Sequence, residues 1–101
     1  MLQKIQTAVR EWLRQVELPA GILNNSEDSL QVIFETDNAL AELIVRTADC
    51  APYRYVSFTV LDTRLEPTAG PIFCFYDEES STIEEILREL SRGAECIRTM
   101  S

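Results

Sequence analysis

The sequence predicts an α+β fold in two layers, an antiparallel four-stranded meander packed against an N-terminal and a C-terminal helix, in the order α-β-β-β-β-α. Two observations lead to this prediction. Segments with apolar residues at alternate positions follow one another through the middle of the chain, whereas segments with apolar residues three and four positions apart stand at both ends. A run of strands flanked by helices is typical of α+β domains, and 101 residues form one such domain.

The first helix is predicted over residues 2–18. Its apolar stripe recurs at spacings of three and four positions and consists of Leu2, Ile5, Val9, Trp12 and Val16. We interpret Trp12 as the largest core anchor of this helix rather than as a ligand-stacking residue. Pro19 and Gly21 end the helix, and residues 21–25 are a candidate for a short extra strand.

The first two strands are predicted to form a hairpin around Asp37 and Asn38. Both residues tolerate the positive φ angles that a two-residue hairpin loop needs. With Thr36 opposite Ala39, the register places three apolar pairs on one face, Phe34 with Ala41, Val32 with Leu43, and Leu30 with Val45. The other face carries a mixed set, namely Gln31, Ile33, Glu35, Leu40, Glu42, Ile44 and Arg46.

Residues 39–47 also allow a helix as the alternative to the second strand. The sequence Ala-Leu-Ala-Glu-Leu has high helix propensity, and Asp37 is in a position to cap such a helix. The β-branched residues of Ile-Val-Arg-Thr and the closed hairpin register favour the strand instead.

The third strand is predicted over residues 53–61 and the fourth over residues 71–76. The core face of the third strand takes every second residue, Val56, Phe58 and Val60. The fourth strand, Pro-Ile-Phe-Cys-Phe-Tyr, is nearly all apolar, which predicts cover on both of its faces and a buried Cys74. The loop at residues 63–70 between the two strands lacks grouped polar chemistry.

The second helix is predicted to begin at a capping box formed by Ser81 and Glu84, in which each side chain bonds the backbone amide of the other. Its apolar stripe consists of Ile83, Ile86, Leu87 and Leu90. We interpret Gly93 as the glycine that follows the helix C-terminus. Residues 95–100 are then left for a final edge strand, which would make the sheet five-stranded.

The composition argues against most catalytic and cofactor sites. The chain has no histidine, which removes the commonest general base, the usual catalytic triad and most zinc sites. Only three glycines are present, so no glycine-rich nucleotide loop exists. The acidic residues 77–79 are consecutive rather than alternating, which does not suit a calcium loop. The sequence therefore predicts no enzyme and no catalytic, cofactor-binding or metal-binding residue.

The net charge of −8 argues against nucleic acid and anionic membranes as partners, and it permits a basic protein. The cysteines Cys50, Cys74 and Cys96 are odd in number and far apart in sequence. Such spacing predicts reduced thiols rather than a disulfide framework. Because no signal peptide is recognisable at the N-terminus, we expect a cytoplasmic protein.

The predicted function is a non-enzymatic protein-interaction module that forms a homodimer through the sheet face opposite the helices. The candidate partner-binding residues on that face are Ile33, Leu40, Ile44, Tyr53 and Tyr55. A twofold homodimer is the commonest way to cover one self-complementary patch, whereas a helix that crossed to this face would give a monomer. Two alternatives remain open. One is a small acidic binder, such as a secretion-type chaperone or an immunity protein against a basic toxin, and the other is a small-molecule-binding protein or enzyme.

Overall fold

A computed structural model of the protein describes residues 2–47 and 55–100. Its elements are α1 (Leu2–Gln15), β1 (Ala20–Asn25), β2 (Ser29–Glu35), β3 (Ala39–Arg46), β4 (Val56–Asp62), a 3-10 turn (Pro67–Ala69), β5 (Phe73–Tyr76) and α2 (Ile83–Met100). The five strands form one antiparallel sheet in the order β1-β2-β3-β4-β5, so each strand pairs with its neighbours in sequence. The α+β meander with a helix at each end is confirmed.

Both helices pack on the same face of the sheet, which we call the inner face. The residues of β2, β3 and β4 that point to this face are fully buried, namely Leu30, Val32, Phe34, Ala39, Ala41, Leu43, Val45, Val56, Phe58 and Val60. The helices contact each other and complete the core with Ile5, Val9, Ile86, Leu90, Ala94 and Ile97. The core therefore lies between one helical layer and one sheet. Neither helix of the described chain is long and apolar enough to cross a membrane.

Trp12 joins the two layers. Its ring lies edge-on to the rings of Phe34 and Phe58, each at a centroid distance of 6.4 Å. Such edge-to-face contacts add to the stabilisation that burial alone provides. The indole Nε1 donates a hydrogen bond to Ser91 Oγ of α2 at 3.1 Å. The interpretation of Trp12 as a core anchor is confirmed.

The register of the β2–β3 hairpin is as predicted, with Phe34 opposite Ala41. The geometry of the loop is different. Thr36 N donates to Ala39 O at 3.0 Å, whereas Ala39 N donates to the hydroxyl of Thr36 at 3.1 Å rather than to its carbonyl. Among the described residues other than glycine only Glu17 has a positive φ, so the expectation of positive φ in this loop was wrong. Because the Thr36 hydroxyl accepts the hydrogen bond from Ala39 N, the Thr36 carbonyl does not have to face Ala39 N as it does in a two-residue loop with positive φ.

The β2–β3 loop also holds the end of α2, because the side-chain amide of Asn38 donates to Met100 O at 2.7 Å. The last carbonyls of a helix have no partner within the helix, and Asn38 supplies one. The alternative helix over residues 39–47 does not form, since β3 pairs along its whole length with β2 and β4.

The short extra strand before the hairpin is confirmed as β1, and all six of its residues are exposed. α1 ends at Gln15, three residues earlier than predicted, and Glu17 follows with φ 54°. A left-handed residue just after a helix commonly ends it, and glycine is the usual choice. The buried amide of Gln6 on α1 is assigned the orientation in which it donates to Glu27 O and accepts from Ser29 N, which holds the β1–β2 turn.

The expected start and end of α2 were both wrong. Thr82, not Ser81, caps the helix, because Glu85 N donates to Thr82 Oγ1 at 3.1 Å. The hydroxyl of Ser81 accepts instead from Glu78 N in the preceding turn, at 2.9 Å. At the other end α2 continues to Met100, so the final edge strand at residues 95–100 does not form.

Gly93 lies within α2 and is buried where this helix approaches the sheet. A Cβ at this position would lie 2.5 Å from Phe58 Cε2 and 2.9 Å from Phe73 Cε1. The glycine is therefore required by the close approach of α2 to β4 and β5. Its interpretation as the residue after the helix C-terminus was wrong.

β5 is covered on one face only by the described chain. Phe73 and Phe75 point to the inner face, whereas Cys74 is exposed and Tyr76 is 51% exposed. The predictions of cover on both faces and of a buried Cys74 were wrong. Beyond β5, Asp77 is buried and its Oδ1 accepts from Tyr55 N and Val56 N, each at 2.7 Å. This carboxylate fixes the start of β4 to the end of β5.

Candidate interaction surface

The sheet face opposite the helices, which we call the outer face, carries no helix of the described chain. Its residues on β2 to β5 are Gln31, Ile33, Glu35, Leu40, Glu42, Ile44, Arg46, Ser57, Thr59, Leu61, Cys74 and Tyr76. Their side chains range from half-buried to exposed, in contrast to the buried inner face. The alternation follows from the strand period of two, since one face packs on the helices and the other does not.

An apolar cluster occupies the hairpin end of this face. Leu40 lies between Glu35 on β2 and Leu61 on β4, and Ile33 lies one row further along. These side chains line a shallow cavity of about 280 Å³ together with Ala41, Glu42 and Thr59. Leu61 is 39% exposed, so it offers apolar surface to a partner.

Of the predicted site residues, Ile33, Leu40 and Ile44 are brought together on the outer face. The prediction of Tyr55 on this face was wrong, because its side chain packs against the core on the helical side, near Leu2 and Gln3 of α1. Tyr53 lies outside the described residues. The cluster is therefore formed mainly by β2 and β3, as the hairpin register implies.

Sequence reasoning missed Leu61 and left Tyr76 undecided. Leu61 continues the alternation of Ser57 and Thr59 on β4, so the pattern that would have found it was present. Tyr76 lies opposite Ser57, and this pairing places it on the outer face. An apolar strand such as β5 carries no alternation from which its orientation can be read.

Charged groups flank the apolar cluster. Glu42 Oε2 accepts a hydrogen bond from Gln31 Nε2 at 2.7 Å, near the middle of the face. Glu35 lies at the hairpin end, opposite Leu40, and Arg46 lies at the other end, opposite Ser29. These two rows are six positions apart along β3, so the two charges lie about 20 Å apart. In the part of the chain that the structure describes, neither side chain forms an ion pair.

The described residues contain no group of three or more side chains able to hold a metal ion. After β4, the guanidinium of Arg64 lies against Asp62, with Nη2 2.8 Å from Oδ2 and Nε 3.0 Å from Oδ1. These side-chain hydrogen bonds, together with one from Arg64 N, lower the pKa of the Asp62 carboxyl. The pair holds the start of the β4–β5 loop at the surface, which is a structural role.

The arrangement as a whole is suited to binding by burial of apolar surface. The outer face combines a shallow apolar cavity with hydroxyl groups of Ser57 and Thr59 and a charge at each end. Apolar centres with a polar rim are characteristic of protein interfaces. Comparisons of the chain with protein-family models, with curated proteins and with solved structures gave no significant match.

Proposed function

We propose that the protein is a non-enzymatic interaction module that forms a twofold homodimer through its outer face. One observation carries the proposal. Both helices pack on the inner face, while the outer face retains an apolar cluster of Ile33, Leu40 and Leu61, with Ile44 further along the same face. Contiguous apolar patches of this kind usually mark an interaction site.

The charges on the outer face favour a second copy of this chain as the partner. In a twofold homodimer whose sheets pack face to face, the symmetry axis lies in the plane of the interface. When this axis runs across the strands, the hairpin end of one subunit covers the opposite end of the other. Glu35 then lies beside Arg46 of the partner subunit, and the symmetry forms this ion pair twice. Within one subunit the two residues are about 20 Å apart and too distant to pair.

The same axis passes between Glu42 and Ile44 on β3. The carboxylate of Glu42 is the group on this face that is most costly to bury. Gln31 already donates to this carboxylate at 2.7 Å. The hydroxyls of Ser57 and Thr59 lie on the neighbouring strand, directly beside Ile44 and Glu42. Burial of the face thus leaves Glu42 with hydrogen-bond donors, which limits the desolvation cost.

The size of the face sets the expected affinity. Four strands with about six residues each present a patch of about 20 Å in each direction. Such a patch lies at the small end of specific protein interfaces, which are typically transient. We therefore expect a dissociation constant in the micromolar range and measurable exchange between monomer and dimer.

Analytical ultracentrifugation of charge-exchange variants tests the proposal. Glu35→Arg and Arg46→Glu should each weaken the dimer by about tenfold, because each places like charges across the interface. The double variant should restore the dimer. Glu11→Arg and Lys4→Glu make the same charge changes on exposed positions of the helical layer and should leave the dimer unchanged.

A wild-type protein that is monomeric at high micromolar concentration would overturn the homodimer. Ile33→Glu combined with Ile44→Glu should abolish the dimer whatever the orientation of the subunits, since both residues lie on the outer face. If this double variant is monomeric but the charge variants have no effect, the outer face is the interface and the axis across the strands is wrong.

We also propose a cytoplasmic location, for which the thiols give support. Cys74 is exposed on β5 and unbridged, and Cys96 is free on α2. An exposed thiol persists in a reducing compartment and tends to oxidise outside one. Reducing agent should therefore leave the melting temperature of the protein unchanged, and a clear decrease would contradict this location.

A further inference from the structure

The β1 side of the sheet is left open on the inner face. β1 is an edge strand that pairs only with β2 in the described chain, and all of its residues are exposed. Ile22 lies opposite the buried Val32, yet it is 57% exposed because α1 leaves it uncovered. A groove of about 270 Å³ runs between α1 and β1. We call it the α1–β1 groove.

The floor of the α1–β1 groove is apolar and its rim is basic. Leu13, Ile22, Leu30 and Val32 form the floor, and Arg10 and Arg14 stand on the rim, one turn apart on α1. This pair of like charges stands out in a chain whose net charge is −8. An apolar side chain on the floor and a carboxylate on the rim would match the groove.

Among the described residues, no buried carboxylate neutralises either arginine. Arg10 Nε donates to Asn25 Oδ1 at 3.0 Å and its Nη2 donates to Ser26 O at 2.7 Å, and both acceptors are uncharged. Arg14 pairs with Glu11 at 3.2 Å, but both side chains are largely exposed. Exposed pairs of this kind contribute little stability, so Arg14 can exchange Glu11 for a ligand carboxylate at small cost.

The backbone of β1 is equally available. Edge strands are usually protected by charged residues, proline or a β-bulge, and the sequence of β1, Ala-Gly-Ile-Leu-Asn-Asn, contains no charged residue and no proline. Pairing with β2 is regular from Ala20 to Ile22, and a bulge follows between Ile22 and Asn24. The regular segment lies beside the groove, where an added strand could use the unpaired backbone groups.

We propose that β1 and the α1–β1 groove bind an extended segment of another protein by strand addition. The segment carries a large apolar residue that packs on Ile22 and an aspartate or glutamate two positions away that pairs with Arg14. Residues two positions apart on a strand point to the same face, so both side chains enter the groove together. A second copy of β1 fits poorly, because this strand has no acidic residue and would bring a second basic rim close to the first.

The test uses an acetylated and amidated peptide, Ser-Thr-Leu-Thr-Asp-Thr-Ser, titrated into the full chain and followed by NMR. Amide shifts should concentrate at residues 20–25, with a dissociation constant of about 100 µM to 1 mM. A peptide with lysine in place of aspartate should bind about five- to tenfold more weakly. A peptide that is N-methylated at alternate amides should not bind, since it cannot extend the sheet.

Variants of the chain separate this site from a general effect of charge. Arg14→Glu should reverse the preference, so that the lysine peptide binds more tightly than the aspartate peptide. Arg88→Glu makes the same change at an exposed position of α2 and should leave the preference as it is in the wild type. Ile22→Asp should weaken the binding of both peptides, and because Ile22 is exposed, the variant should fold normally.

Three results would overturn the proposal, namely no saturable binding of the aspartate peptide up to about 5 mM, equal binding of the aspartate and lysine peptides, or undiminished binding of the N-methylated peptide. If the Ile22→Asp variant instead has a lower sedimentation coefficient than the wild-type protein, a second copy of the chain occupies β1 and a segment of another protein does not. The three peptide results do not bear on the homodimer through the outer face, which involves other residues.

Discussion

The guanidinium of Arg98, in the last turn of α2, donates a hydrogen bond to the carbonyl oxygen of Val16, where α1 ends. This carbonyl belongs to a buried residue just beyond the helix, in a region where backbone acceptors lack partners within the helix. A cation near a helix C-terminus also interacts favourably with the helix dipole. Arg98 thus caps the C-terminal end of α1 and links it to α2 through one hydrogen bond.

Arg98→Ala should reduce the free energy of unfolding by about 1–2 kcal/mol, because Val16 O loses a charged donor. Urea denaturation followed by tryptophan fluorescence measures the change. Arg92→Ala is the matched control, since in the described part of the chain Arg92 pairs only with Glu89 of its own helix and is exposed. Its effect should stay below about 0.5 kcal/mol. Equal effects of the two variants would mean that the contact with Val16 contributes nothing.

Thr82→Ala should destabilise the protein by about 1 kcal/mol through loss of the N-cap of α2. Thr82→Ser keeps a hydroxyl in place and should retain most of the stability. Ser81→Ala removes only the hydrogen bond from Glu78 N and should cost about half as much. The order of the three unfolding midpoints in urea checks which residue caps the helix. A larger loss of stability in Ser81→Ala than in Thr82→Ala would show that Ser81 is the cap.

Gly93→Ala should destabilise the protein by about 1–3 kcal/mol, because the added methyl group would overlap the ring of Phe58. In an uncrowded helix interior the same change would stabilise by about 1 kcal/mol. The sign of the change in melting temperature therefore decides between the two cases. Gly21→Ala serves as the control and should have little effect, because its added Cβ would have no described residue within 4 Å other than its chain neighbours.

Asp77→Ala should cost about 2–3 kcal/mol, because the amides of Tyr55 and Val56 lose a charged acceptor at the start of β4. Asp77→Asn keeps a neutral acceptor and should cost less. Glu78→Ala, at the adjacent exposed residue, should be nearly neutral. Thermal unfolding followed by circular dichroism ranks the three variants, and an Asp77→Ala protein as stable as the wild type would contradict this role.

The sequence was sufficient for the parts of the fold that depend on local periodicity. The register of the β2–β3 hairpin was predictable because both strands alternate and their facing residues, such as Phe34 and Ala41, must share one buried face. The same alternation placed Ile33, Leu40 and Ile44 together on the outer face. Ile33 and Leu40 line the apolar cavity on that face.

The parts that could not be predicted depend on contacts between distant segments. Gly93 resembles a helix stop locally, and only the rings of Phe58 and Phe73 explain why a glycine lies inside α2. Ser81 and Thr82 are both competent caps, and the turn that engages Ser81 decides between them. The α1–β1 groove exists because five strands are wider than the two helices that cover them, which no single segment reveals.

The neighbour-to-neighbour order of the strands has a consequence for the folding pathway. Every strand pair in the described sheet joins segments adjacent in sequence, so the hairpins close short loops and can form early. The helices are different, since Trp12 bonds Ser91 and Arg98 bonds Val16 across almost the whole chain. The contacts of the helical layer therefore close the longest loops of the fold and have the largest loop-closure entropy. We expect them to form later in folding than the hairpins, whose partners are adjacent in sequence.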